Sequence, residues 1–191
     1  MYRQNRIVKS PLLTIIKEAE ARMFVHLKTK TIYSLLEGAI FAKALADRCS
    51  EFKMPAVGIA DRANLFGALE FSEVLSDRGI QPVIGCQLSL SAREVNLKKL
   101  SAADHVSMLF LAKNEIGYRN LMELSSKFFL NETYRSEGIS IREIDRFSDG
   151  LICLSGADES PINNLIRDNK SKEALDLLTH FKRTFGNRFY I

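Results

Sequence analysis

The sequence predicts an α/β fold built on a parallel sheet, and three observations lead to that prediction. Short apolar runs typical of strands alternate with longer segments whose apolar residues recur at helical spacing. The chain has 191 residues, of which 46% are hydrophobic, so it can bury a sizeable core. It contains no internal repeat, low-complexity run or proline-rich linker. We therefore expect one domain, or a large part of one.

The strands are predicted from short runs rich in Val, Ile, Leu and Phe that are bounded by Gly, Pro or polar residues. The first, MFVHLK, opens this alternating part of the chain, and the last, NRFYI, has barely begun when the sequence ends. The predicted strands cover residues 23–28, 55–60, 81–90, 105–112, 150–156 and 187–191.

The helices are predicted from apolar residues at helical spacing and from their end signals. The first ends before Met54 and Pro55, the second stops at Gly79, and Asn114 opens the third. The predicted helices cover residues 39–53, 66–79, 114–130, 141–147, 160–168 and 172–186.

Composition limits the classes of function and the compartment. The formal net charge of +4 is well short of the concentrated basic stripe of a dedicated nucleic-acid reader. Charged residues interrupt every apolar run before it reaches the roughly 18 residues of a membrane span. The three cysteines are too widely separated for a disulfide framework or a paired-cysteine zinc site. A soluble protein of the reducing cytoplasm, with no membrane partner, is expected.

Residues 1–22 are predicted to be an amino-terminal extension of the domain. Ser10 and Pro11 are typical of a helix cap and first turn, and the run LLTIIKEAEAR that follows is amphipathic. This pattern indicates a short helix and not a secretory signal. The domain itself is expected to occupy residues 23–191.

Four stretches carry a family resemblance. They are FVHLKTKTIYSLLEGAI at 24–40, MPAVGIADRANLFGALEF at 54–71, GIQPVIGCQ at 79–87 and LAKNEIGYRNLMELSS at 111–126. In this order and spacing the chain resembles the PHP (polymerase and histidinol phosphatase) domain of bacterial DNA polymerase III alpha subunits. The resemblance implies a distorted βα barrel that is longer than this chain. We therefore expect an incomplete barrel with about five to six strands.

The resemblance also identifies positions where the family binds metal. The family pattern His-Leu-His-x-His-Ser is matched here by His26, Lys28, Lys30 and Thr31. The pattern Thr-Asp-His-Gly-Asn is matched by residues 60–64, which keep Asp61 but carry Arg62 in place of histidine and Ala63 in place of glycine. Further ligand positions are occupied by Gln87, Ser107 and Ala157.

These replacements remove the chemistry of a metal site. A protonated lysine or an arginine has no lone pair to offer a metal. Exchanging three histidines for cations and one glutamate for glutamine raises the charge of the cavity by four. We therefore predict no cofactor for this segment. Lys28, Lys30, Arg62 and Asp61 should form an internal salt-bridge site, with Asp61 pairing with one of the cations, or an anion site that takes sulfate or phosphate.

Other candidate residues carry no functional prediction. His26, His105 and His180 are interpreted as structural histidines. The glycines form no phosphate-binding pattern, and no serine lies in a nucleophile elbow.

Three functions remain. The first is a non-catalytic PHP segment of the replicative polymerase, whose DNA-directed nucleotidyl transfer lies in other domains of the full-length protein. The resemblance implies that such a segment braces the remaining polymerase domains and docks the proofreading exonuclease subunit, with DNA contacted through the full-length enzyme. The second is a metal-dependent phosphoesterase of the PHP superfamily, and the third is a freestanding interaction module.

Overall fold

A five-stranded sheet forms the centre of the computed structural model, which describes residues 24–95, 106–156 and 158–191. The strands lie in the order in which they occur along the chain. They are β1 (Ala56–Arg62), β2 (Gln81–Ser89), β3 (Ser107–Ala112), β4 (Leu151–Leu154) and β5 (Phe189–Tyr190). The predicted α/β class is confirmed.

Seven α-helices accompany the sheet in the described residues. Side chains of Asn114, Ser140 and Ser160 accept hydrogen bonds from backbone amides at three helix starts, as capping residues do. The helices are α1 (Ala42–Glu51), α2 (Ala68–Ser76), α3 (Glu115–Leu130), α4 (Glu132–Glu137), α5 (Ile141–Arg146), α6 (Pro161–Arg167) and α7 (Ser171–Phe185). Of these, only the short α4 was not predicted.

The direction of the strands differs in part from the prediction. Strands β1 and β2 are parallel, and so are β4 and β5. Strand β3, however, runs antiparallel to both β2 and β4, so the sheet is mixed. A strand buried on both faces is an apolar run whichever way it points, so its sequence carries no information about direction.

The first predicted strand is present only as an extended segment beside β1. The amide of Thr29 donates to the carbonyl of Gly58 at 3.3 Å, and the amide of Ala60 donates to Thr29 at 2.9 Å. Farther back, the amide of Gly58 donates to His26 at 2.6 Å. Among the described residues no pairing joins this segment to β5, and the sheet is open as expected for an incomplete barrel.

The apolar core lies mainly on the outer face of the sheet. A large cluster packs α3 and α7 against β2 to β4 and includes Phe110, Leu121, Phe181 and Phe185, each at most 1% exposed. A second cluster packs α1 and α2 against β1. The apolar cluster on the other face is smaller, and its buried residues are Ala60, Leu109 and Leu111. Polar side chains are therefore collected at the strand ends.

Some predictions fall outside the described residues. These are the extension over residues 1–22, His105, and Ala157 as a vestigial ligand position. Across the ranges that are described, no helix is both long and apolar enough to pass through a bilayer.

Candidate functional site

The carboxyl ends of β1 and β2 bring most of the predicted site residues together. Asp61 and Arg62 end β1, and Arg62 lies beside Gln87 of β2 in the parallel register. Ser107 begins β3, the next strand of the sheet. Lys30 follows the extended segment that lies along β1. Parallel neighbours place their carboxyl ends at one edge, and the antiparallel β3 brings its amino end to the same edge, so distant positions in the sequence meet here.

Asp61 is held by hydroxyl and amide donors. It is 2% exposed, and its carboxylate accepts hydrogen bonds from the Thr31 amide at 2.7 Å, the Thr31 hydroxyl at 2.7 Å and the Ser34 hydroxyl at 2.6 Å. The Ser34 hydroxyl in turn accepts from the amide of Arg62 at 3.1 Å. The predicted pairing of Asp61 with a lysine or arginine is therefore corrected, because Asp61 takes these hydroxyl and amide donors while Lys30 and Arg62 pair with other carboxylates.

The carboxylate that meets the cations belongs to Glu37. The Lys30 ammonium and the Arg62 Nε both donate to it, each to a different oxygen. Burial raises the pKa of Glu37, but hydrogen bonds and positive charges from Arg62 and Lys30 outweigh burial and hold the pKa below its ordinary value. Glu37 therefore remains ionised and neutralises part of the cationic cluster.

A second acid, Glu159, joins the cluster from the loop after β4. Its Oε2 lies 3.6 Å from Arg62 Nη2 and accepts from the Ser107 hydroxyl at 2.8 Å. The Gln87 amide donates to the same carboxylate and to the Ser107 hydroxyl, the latter at 2.6 Å. Burial raises the pKa of Glu159, while Ser107 and the charges of Lys30, Arg62 and Lys28 lower it more, so the net pKa is below its ordinary value.

These contacts form one cluster, which we call the strand-end network. It comprises Lys30, Glu37, Arg62, Gln87, Ser107 and Glu159. With the adjacent Lys28 and Asp61, three cations meet three carboxylates, so the formal charges cancel. The excess of positive charge expected from the replaced ligands alone is offset by Glu37 and Glu159.

The donor set of the network does not fit a divalent metal. The cations Lys30 and Arg62, at positions where the resemblance predicts metal ligands, have no lone pair to give and would repel a metal ion. Within the three described ranges, no three side chains of the types His, Cys, Asp or Glu are grouped as a metal site would need. The absence of a metal in the protein stays a prediction for direct measurement.

Two buried polar atoms of the network have no hydrogen-bond partner among the described residues. They are Nη1 of Arg62 and Oε1 of Gln87. One is a donor and the other an acceptor, and they belong to adjacent strands. Neither atom is a nucleophile, and the network contains no histidine to act as a general base.

The two histidines that the structure describes lie outside the network. His26 packs edge-on against Phe24 with ring centroids 4.6 Å apart, and His180 on α7 makes a 2.9 Å hydrogen bond to Asp145. His26 and Lys28 line two cavities beside the network. The hydrogen bond of His180 fits its structural interpretation.

Sequence reasoning missed Glu37, Glu159 and Ser34 as members of the site. All three lie in loops, where no hydrophobic periodicity fixes position. Charge balance was the signal available, since three clustered cations need nearby acids if they are to be even partly buried.

Comparison with known proteins matches the chain to one family and to one group of curated relatives. The family described as "PHP domain" matches residues 26–191. DNA polymerase III subunit alpha of Caulobacter vibrioides is 43% identical over 177 residues, which is 92% of this chain and 15% of the relative. The same subunit of Borreliella burgdorferi is 34% identical over 170 residues, 88% of this chain and 15% of that protein. The chain thus spans about one seventh of the length of these relatives.

A solved structure gives a weaker match. An amidohydrolase from Chromobacterium violaceum superposes with a TM-score of 0.38 at 14% identity, covering 81% of this chain and 54% of that one.

Proposed function

Because this chain belongs to the PHP domain family, we propose that it is a non-catalytic bracing and docking segment of a replicative DNA polymerase III alpha subunit. The observation that carries the proposal is the use of Lys30 and Arg62, at family ligand positions, as ion-pair partners of Glu37 and Glu159. Side chains committed to such pairs cannot coordinate a metal or activate water.

Electrostatics support the loss of catalysis. A single like charge at about 4 Å costs roughly 4 kcal/mol at the effective dielectric of a partly buried site. A divalent ion would meet Lys30 and Arg62 together, and it could reach Glu37 only by displacing both. Gln87 stands where the resemblance predicts a carboxylate, and its side-chain amide donates a hydrogen bond to the Ser107 hydroxyl. The remaining aspartate, Asp61, already accepts three hydrogen bonds.

The network also supports a structural role. Arg62 links the end of β1 to Glu37 in the loop before α1 and to Glu159 in the loop after β4. Gln87 and Ser107 connect β2 and β3 to the same glutamate. A metal centre would join these strand ends through shared ligands, and here ion pairs and hydrogen bonds join them instead.

Two partners are part of the proposal, the first supported by the relatives and the second by the family resemblance. Since the chain spans 15% of the polymerase subunits it matches, the rest of such a polymerase is the first partner. The proofreading exonuclease subunit is the second, and DNA would be contacted through the complete enzyme.

The experiment measures metal content and phosphoester cleavage together. The chain is purified in the presence of manganese and zinc, its metal is quantified by mass spectrometry, and hydrolysis of bis-(p-nitrophenyl) phosphate is followed. We expect no stoichiometric metal and no hydrolysis above background. The matched control restores the family ligands by five substitutions, which are Lys28→His, Lys30→His, Arg62→His, Gln87→Glu and Ser107→His. That variant should gain metal.

The opposite result is equally clear. If the unmodified chain holds stoichiometric metal, cleaves the phosphodiester, and loses both properties in Asp61→Asn, the segment is a metal-dependent phosphoesterase and the proposal fails.

A further inference from the structure

A cavity of about 520 Å³ opens beside α1. It is lined by α1, by the residues that lead from α1 into β1, by the loop before α1 and by the extended segment that runs along β1. Its volume falls within the roughly 300 to 1,000 Å³ of sites that hold small molecules in proteins. We call it the α1 cavity. Lys30 and Glu37 also line it, so it adjoins the strand-end network.

One side of the α1 cavity is apolar. Its residues are Ile40, Leu45, Cys49, Phe52, Met54 and Val57. Leu45, Cys49 and Val57 are buried, whereas Phe52 is 63% exposed, so the Phe52 ring borders both the cavity and the solvent. A narrow chain can reach buried side chains of this kind, but a flat bilayer or a protein surface cannot. The apolar side therefore favours a slender apolar group over a macromolecule.

The other side of the cavity carries positive charge. Its residues are His26, Lys28, Thr29, Lys30, Glu37 and Arg48. Three of these side chains are cations and one is a carboxylate, which leaves a formal charge of +2 when the histidine is neutral. The cavity therefore attracts an anion and repels a cation.

Lys28 is the cation best placed to receive an anionic group. Lys30 already pairs with Glu37. Arg48 pairs with Glu51 at 2.7 Å. Lys28 is exposed, and it forms no ion pair with any residue that the structure describes. Its ammonium group is thus a charge-assisted donor beside an apolar surface.

We propose that the α1 cavity is a binding site for an amphipathic monoanion, namely a fatty carboxylate of medium chain length. The hydrocarbon chain lies along the apolar side, and the carboxylate accepts charge-assisted hydrogen bonds from Lys28. An inorganic anion would leave the apolar side in water, and an uncharged hydrocarbon would leave Lys28 without a counter-ion. This inference goes beyond the proposed polymerase role and does not depend on it.

The test is isothermal titration calorimetry of the complete chain with sodium decanoate below its micelle concentration. We expect a single saturable site. Decanol and decyltrimethylammonium carry the same hydrocarbon chain with no charge and with a positive charge. Decanoate should bind at least about tenfold more tightly than either, because the lining is cationic. Octanoate should bind about tenfold more weakly than decanoate, since each buried CH₂ group is worth up to about fourfold in affinity.

A lysine variant separates the charged contact from a general change in structure. Lys28→Gln should weaken decanoate binding at least about fivefold and leave decanol binding unchanged, because only the carboxylate uses the ammonium group. A structural defect would weaken both ligands. The matched control is Lys172→Gln, which removes an exposed lysine on α7 and should change neither affinity.

A phenylalanine variant tests the apolar side. Phe52→Ser should weaken decanoate and decanol alike, because it removes apolar surface that both hydrocarbon chains contact. The matched control is Leu175→Ser, which removes a leucine that is 62% exposed on α7 and should leave both affinities unchanged. If circular dichroism shows that Phe52→Ser is unfolded, the comparison of octanoate with decanoate in the unmodified chain decides whether the hydrocarbon is buried.

Several results would overturn the inference. One is the lack of saturable binding at millimolar decanoate. Another is equal binding of the three decyl compounds, which would indicate adsorption of a detergent and not a charged site. A third is an unchanged decanoate affinity in Lys28→Gln. A fourth is binding to phosphatidylserine vesicles with none to free decanoate, which would assign this region to a membrane surface.

Discussion

The apolar core beneath α7 is fully shielded from water and the strand-end network only partly, and the two regions depend on their members in different ways. In the core, Phe181 is fully buried and lies near Phe185 and Phe189, with ring centroids 6.3 and 6.0 Å apart. Many neighbours share each contact there, so shape and volume decide stability. In the network, the described residues give Lys30 one carboxylate partner, Glu37, so the removal of Glu37 leaves the Lys30 charge without its counterpart.

The difference shows which substitutions each region can accept. Apolar residues can be exchanged for others of similar volume at small cost. A charged residue in a shared site can be exchanged at small cost only if its partner is exchanged as well. The resemblance predicts histidines at the positions of Lys28, Lys30 and Arg62, and Glu37 and Glu159 lie close enough to balance these cations.

The largest effect is expected in the core. Phe181→Ala should lower the free energy of unfolding by about 3 to 5 kcal/mol, because it removes a fully buried ring and leaves a cavity. Urea unfolding followed by circular dichroism measures the change. The control Leu175→Ala, on the exposed side of the same helix, should cost less than about 0.5 kcal/mol. Equal losses in the two variants would show that α7 does not pack as described.

Asp61→Asn should have the next largest effect, about 2 to 3 kcal/mol in urea unfolding. The charged carboxylate accepts three hydrogen bonds, and hydrogen bonds to charged groups are stronger than neutral ones. The side-chain NH2 group of asparagine would also lie opposite the Thr31 and Ser34 donors, with which it cannot form the hydrogen bonds that the carboxylate accepts. Asp176→Asn on the exposed face of α7 is the control and should be neutral. A neutral result at Asp61 would mean that the buried carboxylate is dispensable to the fold.

Acid should weaken the network before it affects the core. The pKa values of Glu37 and Glu159 are lowered in the folded chain, so their contribution is complete above the ordinary glutamate pKa of about 4.3 and is lost as pH falls through the lowered values. Glu37→Gln should flatten this acid limb and, after solvent screening, cost about 1 kcal/mol or less at neutral pH. Urea midpoints measured from neutral pH downward test it, with exposed Glu123→Gln as control. If the urea midpoint of Glu37→Gln falls with pH as it does in the unmodified chain, Glu37 does not contribute to the stability of the network.

The core could be predicted from the sequence because its signal is periodic. Ala174, Leu177, Phe181 and Phe185 recur at helical spacing, and all four are buried on one face of α7. The strand positions were predicted for the same reason. The antiparallel direction of β3 was not, since a fully buried strand looks alike in both directions.

The site could be predicted only in part. The resemblance placed Lys30, Asp61, Arg62, Gln87 and Ser107 near one another, and the structure brings them together. The partners were missed because Glu37 and Glu159 belong to loops, whose positions follow from tertiary contacts and not from a local pattern. Short donors close to Asp61 were likewise overlooked, so a cation was assigned to a carboxylate that Thr31 and Ser34 already satisfy.

The smallest expected effect concerns Ala63, the residue after the network arginine. Its φ is 56°, a left-handed conformation that costs alanine roughly 1 kcal/mol, and the resemblance predicts glycine at this position. Its amide donates to Gln87 and its carbonyl accepts from Ser125, both at 2.9 Å, so the backbone cannot relax without breaking those bonds. Ala63→Gly should therefore stabilise the chain by about 0.5 kcal/mol, after the greater freedom of glycine in the unfolded state is subtracted.

Ala174→Gly in the interior of α7 is the matched control and should destabilise by about 1 kcal/mol, because helical alanine carries no such strain. A loss at Ala63 similar to that at Ala174 would show that burial of its methyl group outweighs the strain, and that the glycine-to-alanine change beside the network carries no cost.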